Sequence, residues 1–435
     1  MLLIYTAAYS PRINYIVEVT FSSVLSCDFR ITTNKEEFLN YAGPRLNHSG
    51  IQVSANEIWI QPHSLLFETN IQPQVVTCFE WAGLIAFFKT GGDIPFDIFA
   101  ASFYLVSRYE EYLPHTKDEY GRYAHTNSLA CKQNFLHLPL VNMWIQQLLK
   151  VIGDKFPLFT FRPLVFTFLP TYDIDIAYAY KGKNLLRNAG GFCKEVFTAK
   201  WTNLAERASV IAGRKKDPFD TYDWLNTLHD QYKLQPYYFF LLAAHNKLYD
   251  KNISPARSEM NELVTRHANQ YTVGIHPSWQ SGDDEKTLKQ EISTLKTITC
   301  NPVTVSRQHY IRMKLPRTYR LLIENGIAED HSMGYGSING FRASITSPYY
   351  WYDLEKEVKT NLLLRPFCYM EANSYFEQHY TAEQAAKELQ QYHDIVKVVN
   401  GQLITIFHNH FITEQPQWLA WRKMYAAFLQ NNFSA

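Results

Sequence analysis

The chain has 435 residues, long for one ordinary domain, so two or three domains are expected. Hydrophobic residues make up 46% and charged residues 19%, which excludes a disordered chain and provides ample core. A formal net charge of +1 gives no electrostatic case for nucleic acid or an anionic membrane, and no apolar run approaches the ~20 residues of a membrane span.

Met1-Leu2-Leu3-Ile4-Tyr5 has no basic flank and reads as a first strand rather than a signal peptide. Residues 15–20 are apolar and suit either a strand or the start of a helix. Residues 29–32 and 51–54 alternate as strands do, and 58–60 and 65–67 add two short ones. From 96 to 112 the apolar residues recur at helical spacing; there Arg108, Glu110 and Glu111 read as an ion-pair set on a helix surface. A polar loop to Tyr123 follows, then a helix over 141–152. Residues 1–160 therefore form a mixed α/β N-terminal domain with no catalytic spacing. Residues 157–163 mark a hinge. Six cysteines at 27, 78, 131, 193, 300 and 368 show no paired spacing, and read as reduced thiols of a cytoplasmic protein.

The second part alternates strand and helix. The apolar run from Phe166 enters Asp173 and Asp175, which a strand places on one face. Two such carboxylates repel unless a cation or proton sits between them, although a loop-capping turn uses the same residues. A helical region over 182–212 follows, then a helix with Asp220 as candidate N-cap and a strand over 236–242. Helices over 256–269, 283–297 and 315–325 then alternate with strands over 271–276, 303–307 and 326–330. A strand over 362–365, a helix over 381–399 and a strand over 403–408 complete the pattern. Such alternation implies a parallel sheet, closed or open, whose strands share one carboxyl edge where sites are built. Strand after strand ends in a residue fit for chemistry: Asp173 with Asp175, His276, Arg307 with His309, Asp330, and His408. One of these alone is an ordinary loop or core residue; their succession points to a site.

These segments, in this order, resemble the polysaccharide deacetylases of carbohydrate esterase family 4, the nodulation-protein type. The segments are Thr171-Tyr172-Asp173-Ile174-Asp175, Gly274-Ile275-His276-Pro277-Ser278, Arg307-Gln308-His309-Tyr310, Asp330-His331-Ser332-Met333-Gly334-Tyr335 and Ile404-Thr405-Ile406-Phe407-His408-Asn409. The resemblance covers about residues 164–415. Gly340-Phe341-Arg342-Ala343-Ser344 is further similar to bacterial variants with an extra N-terminal domain. The resemblance implies a distorted (β/α)7-type barrel over 164–435 and a metal-dependent hydrolase that removes acetyl groups from an N- or O-acetylated sugar or polysaccharide. It implies a divalent metal, zinc with cobalt or nickel as alternatives, on Asp175 and His276. The family's second histidine would lie four residues after His276, where this chain has Gln280. His309, one strand over, is inferred as the third ligand from its position and not from the family. The resemblance further implies Asp173 as general base, Arg307 holding it, His408 as general acid, and Asp330 orienting Arg307 or His408. Trp279, Tyr335 and Arg342 complete the set as substrate-binding residues. Two rival readings stand beside this one: a metal-free carbohydrate-binding or regulatory protein on the same scaffold, and a glycoside hydrolase using Asp173 or Asp175 with Asp330. The oligomeric state is left open.

Overall fold

A computed structural model describes residues 1–159, 164–183, 201–244 and 249–434. The chain opens on a four-stranded parallel sheet of Leu2–Thr6 (β1), Phe29–Thr32 (β2), Arg45–His48 (β3) and Ile58–Trp59 (β4), in the order β2-β1-β3-β4. Leu2, Leu3 and Ile4 are all fully buried, the continuous apolar run of a central parallel strand. The ambiguous segment after it is helical. Ser10 accepts the Ile13 amide as N-cap, Pro11 fills the first turn, and the helix Pro11–Glu18 runs on into a wider turn over Val19–Val24.

Two expected strands are absent. Residues 51–54 are irregular, with a bend at Ile51; the place beside β1 is taken by β3, and the buried Asn47 amide donates to the Ile51 carbonyl at 2.9 Å. Ser64–Phe67 is a 3-10 turn, capped by His63 Nδ1, which accepts the Leu65 amide at 3.2 Å. After the hairpin Phe79–Trp81 (β5) and Leu84–Ala86 (β6), Asp97 caps a buried helix, Ile98–Val106. That helix stops at Arg108, which takes a left-handed φ of 55° and turns the chain into a short 3-10 segment, Tyr109–Tyr112.

Arg108, Glu110 and Glu111 are therefore not a surface set. Arg108 is 1% exposed and donates to Glu111 at 2.8 Å and Glu110 at 2.9 Å. From far along the chain, Arg342 donates to the other Glu111 oxygen at 2.6 Å. Burial alone would raise the Glu111 carboxyl, but Arg342 and Arg108 outweigh it and hold it down at about 2. Stranding one partner of such a buried pair typically costs ~3–5 kcal/mol.

The second sheet has nine strands: Thr167–Ile174 (β7), Tyr237–Phe240 (β8), Thr272–Ile275 (β9), Val305–Ser306 (β10), Glu329–Asp330 (β11), Tyr349–Asp353 (β12), Val358–Leu364 (β13), Tyr369–Met370 (β14) and Gln402–His408 (β15). Their order is β12-β13-β11-β10-β9-β8-β7-β15-β14. Every pairing is parallel except β12 with β13, so eight strands in a row point the same way. The class is mixed α/β. Among the described residues no pairing joins the β14 edge to the opposite edge.

Helices follow the strands as the alternation predicts: Tyr222–Tyr232, Ser258–Ala268, Glu285–Thr299, Arg317–Glu324 and Ala382–Val398. Thr221, not Asp220, precedes the first of these. Of the helical region expected over 182–212, Trp201–Ile211 is helical, and 184–200 lie outside the described residues, as do 160–163 of the expected hinge. One buried apolar cluster runs through both sheets. The Tyr15 hydroxyl donates to the Tyr350 carbonyl at 2.8 Å, and the buried Arg12 pairs with Glu357. Among the described residues no helix is long and apolar enough to cross a membrane.

Candidate metal centre and its cavity

Because the eight strands are parallel, their carboxyl ends form one edge. In register, His408 lies beside Asp173, Asp173 beside Phe239, and Ser306 beside both Ile275 and Asp330. Asp175 follows β7 by one residue, His276 follows β9 directly, and Arg307 and His309 follow β10. Three imidazole Nε2 atoms converge on the Asp175 carboxylate: His276 at 3.1 Å, His408 at 3.4 Å and His309 at 3.5 Å. The opposite nitrogen of each ring is anchored. His276 Nδ1 lies 2.5 Å from the Arg307 carbonyl, His309 Nδ1 3.0 Å from Asp250 Oδ1, and His408 Nδ1 2.9 Å from Glu371 Oε1. An acceptor at Nδ1 places a proton there and leaves Nε2, once the ring is neutral, with a lone pair directed at Asp175.

This donor set fits a divalent ion of the zinc type. One atom each from Asp175, His276 and His309 lie within 4.8 Å of one another. Ligands ~2.0–2.1 Å from a tetrahedral ion stand ~3.3–3.4 Å apart. The Asp175 contacts to His276 and His309, 3.1 and 3.5 Å, bracket that spacing. Asp175 Oδ1 is buried, and its approach to His276 lacks hydrogen-bond geometry, so among the described residues it has no hydrogen-bond partner. Imidazole with carboxylate suits zinc, cobalt and nickel alike.

Two residues of the centre escape the sequence. Asp250 lies in a loop well beyond the end of β8, and Glu371 follows a strand of only two residues. Neither position has a period that would mark it. Gln280, which stands where a second histidine was expected, donates to Asp250 Oδ2 at 3.1 Å, and the Trp279 amide donates to Oδ1 at 2.9 Å. Gln280 thus supports the carboxylate that orients His309.

Asp173 sits beside the cluster. It is 2% exposed, accepts from Arg307 Nη1 at 2.8 Å, and lies 3.7 Å from His276 Nε2. The Arg307 guanidinium is held in turn by Thr171 Oγ1 at 2.7 Å, the His331 carbonyl at 3.1 Å and the Phe239 ring at 4.3 Å. Asp330 orients neither Arg307 nor His408 by a hydrogen bond, against expectation. Its oxygens accept from the hydroxyls of Ser306 and Ser332 and from the Ser332 amide, and burial raises its carboxyl to about 6. Asp330 fixes its own loop, and Glu371 takes the place expected of it at His408.

Charge is balanced within the cluster. Burial by itself would raise Asp175 and lower both histidines. The attraction of His309 and His408 instead holds Asp175 well below the usual carboxylate range. Asp175 lifts His309 to about 9, and Glu371 with Asp175 lifts His408 to about 10. Burial, reinforced by His408 and only partly offset by Asp175, pushes His410 down to about 3. In the metal-free cluster His309 and His408 are therefore protonated at neutral pH. Raised histidine values stabilise the metal-free fold fully below ~6.5, and that stabilisation is lost as pH rises through the values of His309 and His408. A metal must displace the His309 proton. Metal uptake near neutrality should therefore release protons, and affinity should rise with pH until about 9. Calorimetry in buffers of different ionisation enthalpy reads this directly; a pH-independent affinity would exclude His309 as a ligand.

A cavity of about 380 Å³ stands over the centre. Asp173, Asp175, His276, His309 and His408 line it, with walls that include Tyr249, Tyr310 and Phe411. Residues from the N-terminal part, Tyr120 and Arg122, line it too. The three expected substrate-binding residues do not. Trp279 has one face stacked on Tyr249 at 4.1 Å and the Arg312 guanidinium over its ring at 4.4 Å. Tyr335 is buried against the Arg342 guanidinium, 5.3 Å from its ring, and Arg342 itself is committed to Glu111. Buried ion pairing between distant segments has taken both.

A family model described as a family of unknown function (DUF7033) matches residues 2–157. No curated protein matches the chain. Among solved structures, similarity extends to a protein from Mycobacterium smegmatis assigned as a polysaccharide deacetylase, with 14% identity, 61% of this chain and 84% of that one covered, and a TM-score of 0.38. A polysaccharide deacetylase from Bacillus cereus is 12% identical over 62% of this chain and 91% of its own, with a TM-score of 0.31. The catalytic domain of a peptidoglycan N-acetylglucosamine deacetylase from Eubacterium rectale is 10% identical over 62% and 86%, also at 0.31.

Proposed function

We propose that the protein is a metal-dependent hydrolase that removes acetyl groups from an N- or O-acetylated sugar. In this reading residues 1–160 are an N-terminal domain and 164–435 carry the chemistry. The observation that carries it is the convergence of three anchored imidazoles on Asp175, with a second carboxylate, Asp173, buried beside them on Arg307. A divalent cation held by Asp175, His276 and His309 would supply Lewis acidity toward a carbonyl oxygen and toward water. Asp173, kept beside Arg307, accepts the proton of the attacking water. His408, protonated at neutral pH and oriented through Nδ1 by Glu371, delivers a proton to the leaving amine or alcohol. General acid–base groups are each typically worth ~100-fold to ~10,000-fold. Tyr249 and Tyr310 offer amphipathic walls that suit a sugar ring, apolar on its faces and hydroxylated at its edge.

Asp330 does not line the cavity, which counts against the glycoside hydrolase reading that pairs it with Asp173 or Asp175. The test is acetate release from a panel of N- and O-acetylated mono- and oligosaccharides by zinc-, cobalt- or nickel-loaded protein. Turnover that chelation abolishes and metal restores is the expected result. Sugar binding without acetate release from any of them would replace the enzyme with a binding protein.

A further inference from the structure

We infer that Arg122, in the N-terminal part of the chain, is a positioning residue of the metal centre that holds His309 in place through the backbone of Tyr310. The inference rests on the reading of Asp175, His276 and His309 as a metal site.

His309 stands at the start of an unusual turn. The next two residues, Tyr310 and Ile311, both take left-handed backbone angles, with φ of 60° and 54°. Neither is glycine, and for a β-branched residue such as Ile311 this is a rare conformation. Strained positions of this kind persist only where the surroundings over-determine them. The turn's own segment supplies part of the hold, through the Ile311 amide on the Gln308 carbonyl at 2.9 Å and the Arg312 amide on the His309 carbonyl at 3.1 Å. The carbonyl of Tyr310, at the centre of the turn, is held from outside. It accepts from Arg122 Nη1 at 2.8 Å, from a residue 188 positions away in sequence.

Arg122 is built to make that contact. It is 5% exposed and sits at the base of an arm, residues 117–123, closed by a bridge between Lys117 and Tyr123. Asp118 organises the arm. One oxygen accepts the amides of Tyr120 and Arg122, and the other accepts Arg122 Nε at 2.6 Å, so the guanidinium is aimed before it reaches the turn. Tyr120 lies along the guanidinium with its ring centroid 4.7 Å away, and also packs on Tyr310 at 5.3 Å. On the far side the chain has Gly336, where a Cβ would come within 2.1 Å of Arg122 Nη1. Only the bare backbone at 336 leaves room for the guanidinium. Tyr310 then packs on His309, with centroids 4.6 Å apart. The path is short: Asp118 aims Arg122, Arg122 pins the Tyr310 carbonyl, and the pinned turn presents His309 toward Asp175. Asp250 orients the ring of His309; the Pro277 carbonyl accepts its amide at 3.2 Å, and Arg122 holds the next carbonyl, so the two share the placement of its backbone.

The test is metal affinity of the full-length protein by competition with a chromogenic chelator, using zinc. Arg122→Ala is expected to lose ~10- to 100-fold in affinity, the range for residues that orient a ligand without touching the ion. Arg122→Met, which keeps the stem against Tyr120 without the donors, is read in the same way if the alanine variant fails to fold. The decisive arm is the double variant. In a His309→Ala background, removing Arg122 should cost almost nothing further, because its effect passes through His309. A merely structural role for Arg122 would lower affinity equally in both backgrounds, and that result overturns the inference. So does a single variant that binds zinc as wild type does. If wild-type protein itself binds no metal, the metal-site reading has failed before Arg122 is tested.

Discussion

Asp175→Asn is expected to abolish metal uptake and acetate release together. Asp175 is the shared anion on which His276, His309 and His408 converge, and its Oδ1 has no hydrogen-bond partner among the described residues. The amide keeps the shape of the side chain and removes its charge. It then offers a metal one neutral oxygen in place of a carboxylate, and it no longer offsets the proton on His309. Residues that only orient a ligand cost ~10–100-fold in affinity when lost, so loss of the anionic ligand should cost ~100-fold or more. Metal analysis after dialysis should find about one equivalent of divalent ion in wild type and a small fraction of that in Asp175→Asn or His276→Ala. A variant that retains a full equivalent at wild-type affinity would place the ion elsewhere in the molecule.

Asp173→Asn should separate chemistry from binding. Asp173 is nearly as close to His276 as Asp175 is, yet its Oδ1 is committed to Arg307, so the two carboxylates on one strand face have different surroundings. Replacing Asp173 leaves the three ligands and the anchors Asp250 and Glu371 untouched, and metal content should stay at one equivalent. An amide cannot take a proton at neutral pH, so kcat should fall ~100-fold or more with KM little changed. The loss should persist across substrates with amine and alcohol leaving groups, because it concerns the attacking water and not the group that departs. Wild-type turnover by this variant would remove Asp173 from the role of base. Loss of the metal along with activity would make it a ligand instead.

The local pattern of the chain was enough to locate most of the strand edge that carries the centre. Period-two alternation, buried apolar runs and the strand–helix rhythm after residue 164 placed Asp173, Asp175, His276, Arg307, His309 and His408 at successive strand ends, and parallel pairing brings those ends together. Strand direction and side-chain alternation are short-range properties, so they can be read without the fold. Other features depended on contacts between distant segments. Asp250 and Glu371 acquire their parts only because the fold brings them onto His309 and His408. Arg108, Glu111 and Arg342 look like solvated or ligand-facing charges until the two sheets pack and bury them against one another. Residues 51–54 have the alternation of a strand, but the neighbouring position beside β1 is taken by β3. Tyr120 and Arg122 lie in a polar loop with no periodic signal, and only the packing of that loop against Tyr310 and Gly336 brings them to the cavity wall. Local sequence sets which way a strand runs and which face a side chain takes; which carboxylate meets which imidazole is decided by long-range closure, which has no period to read.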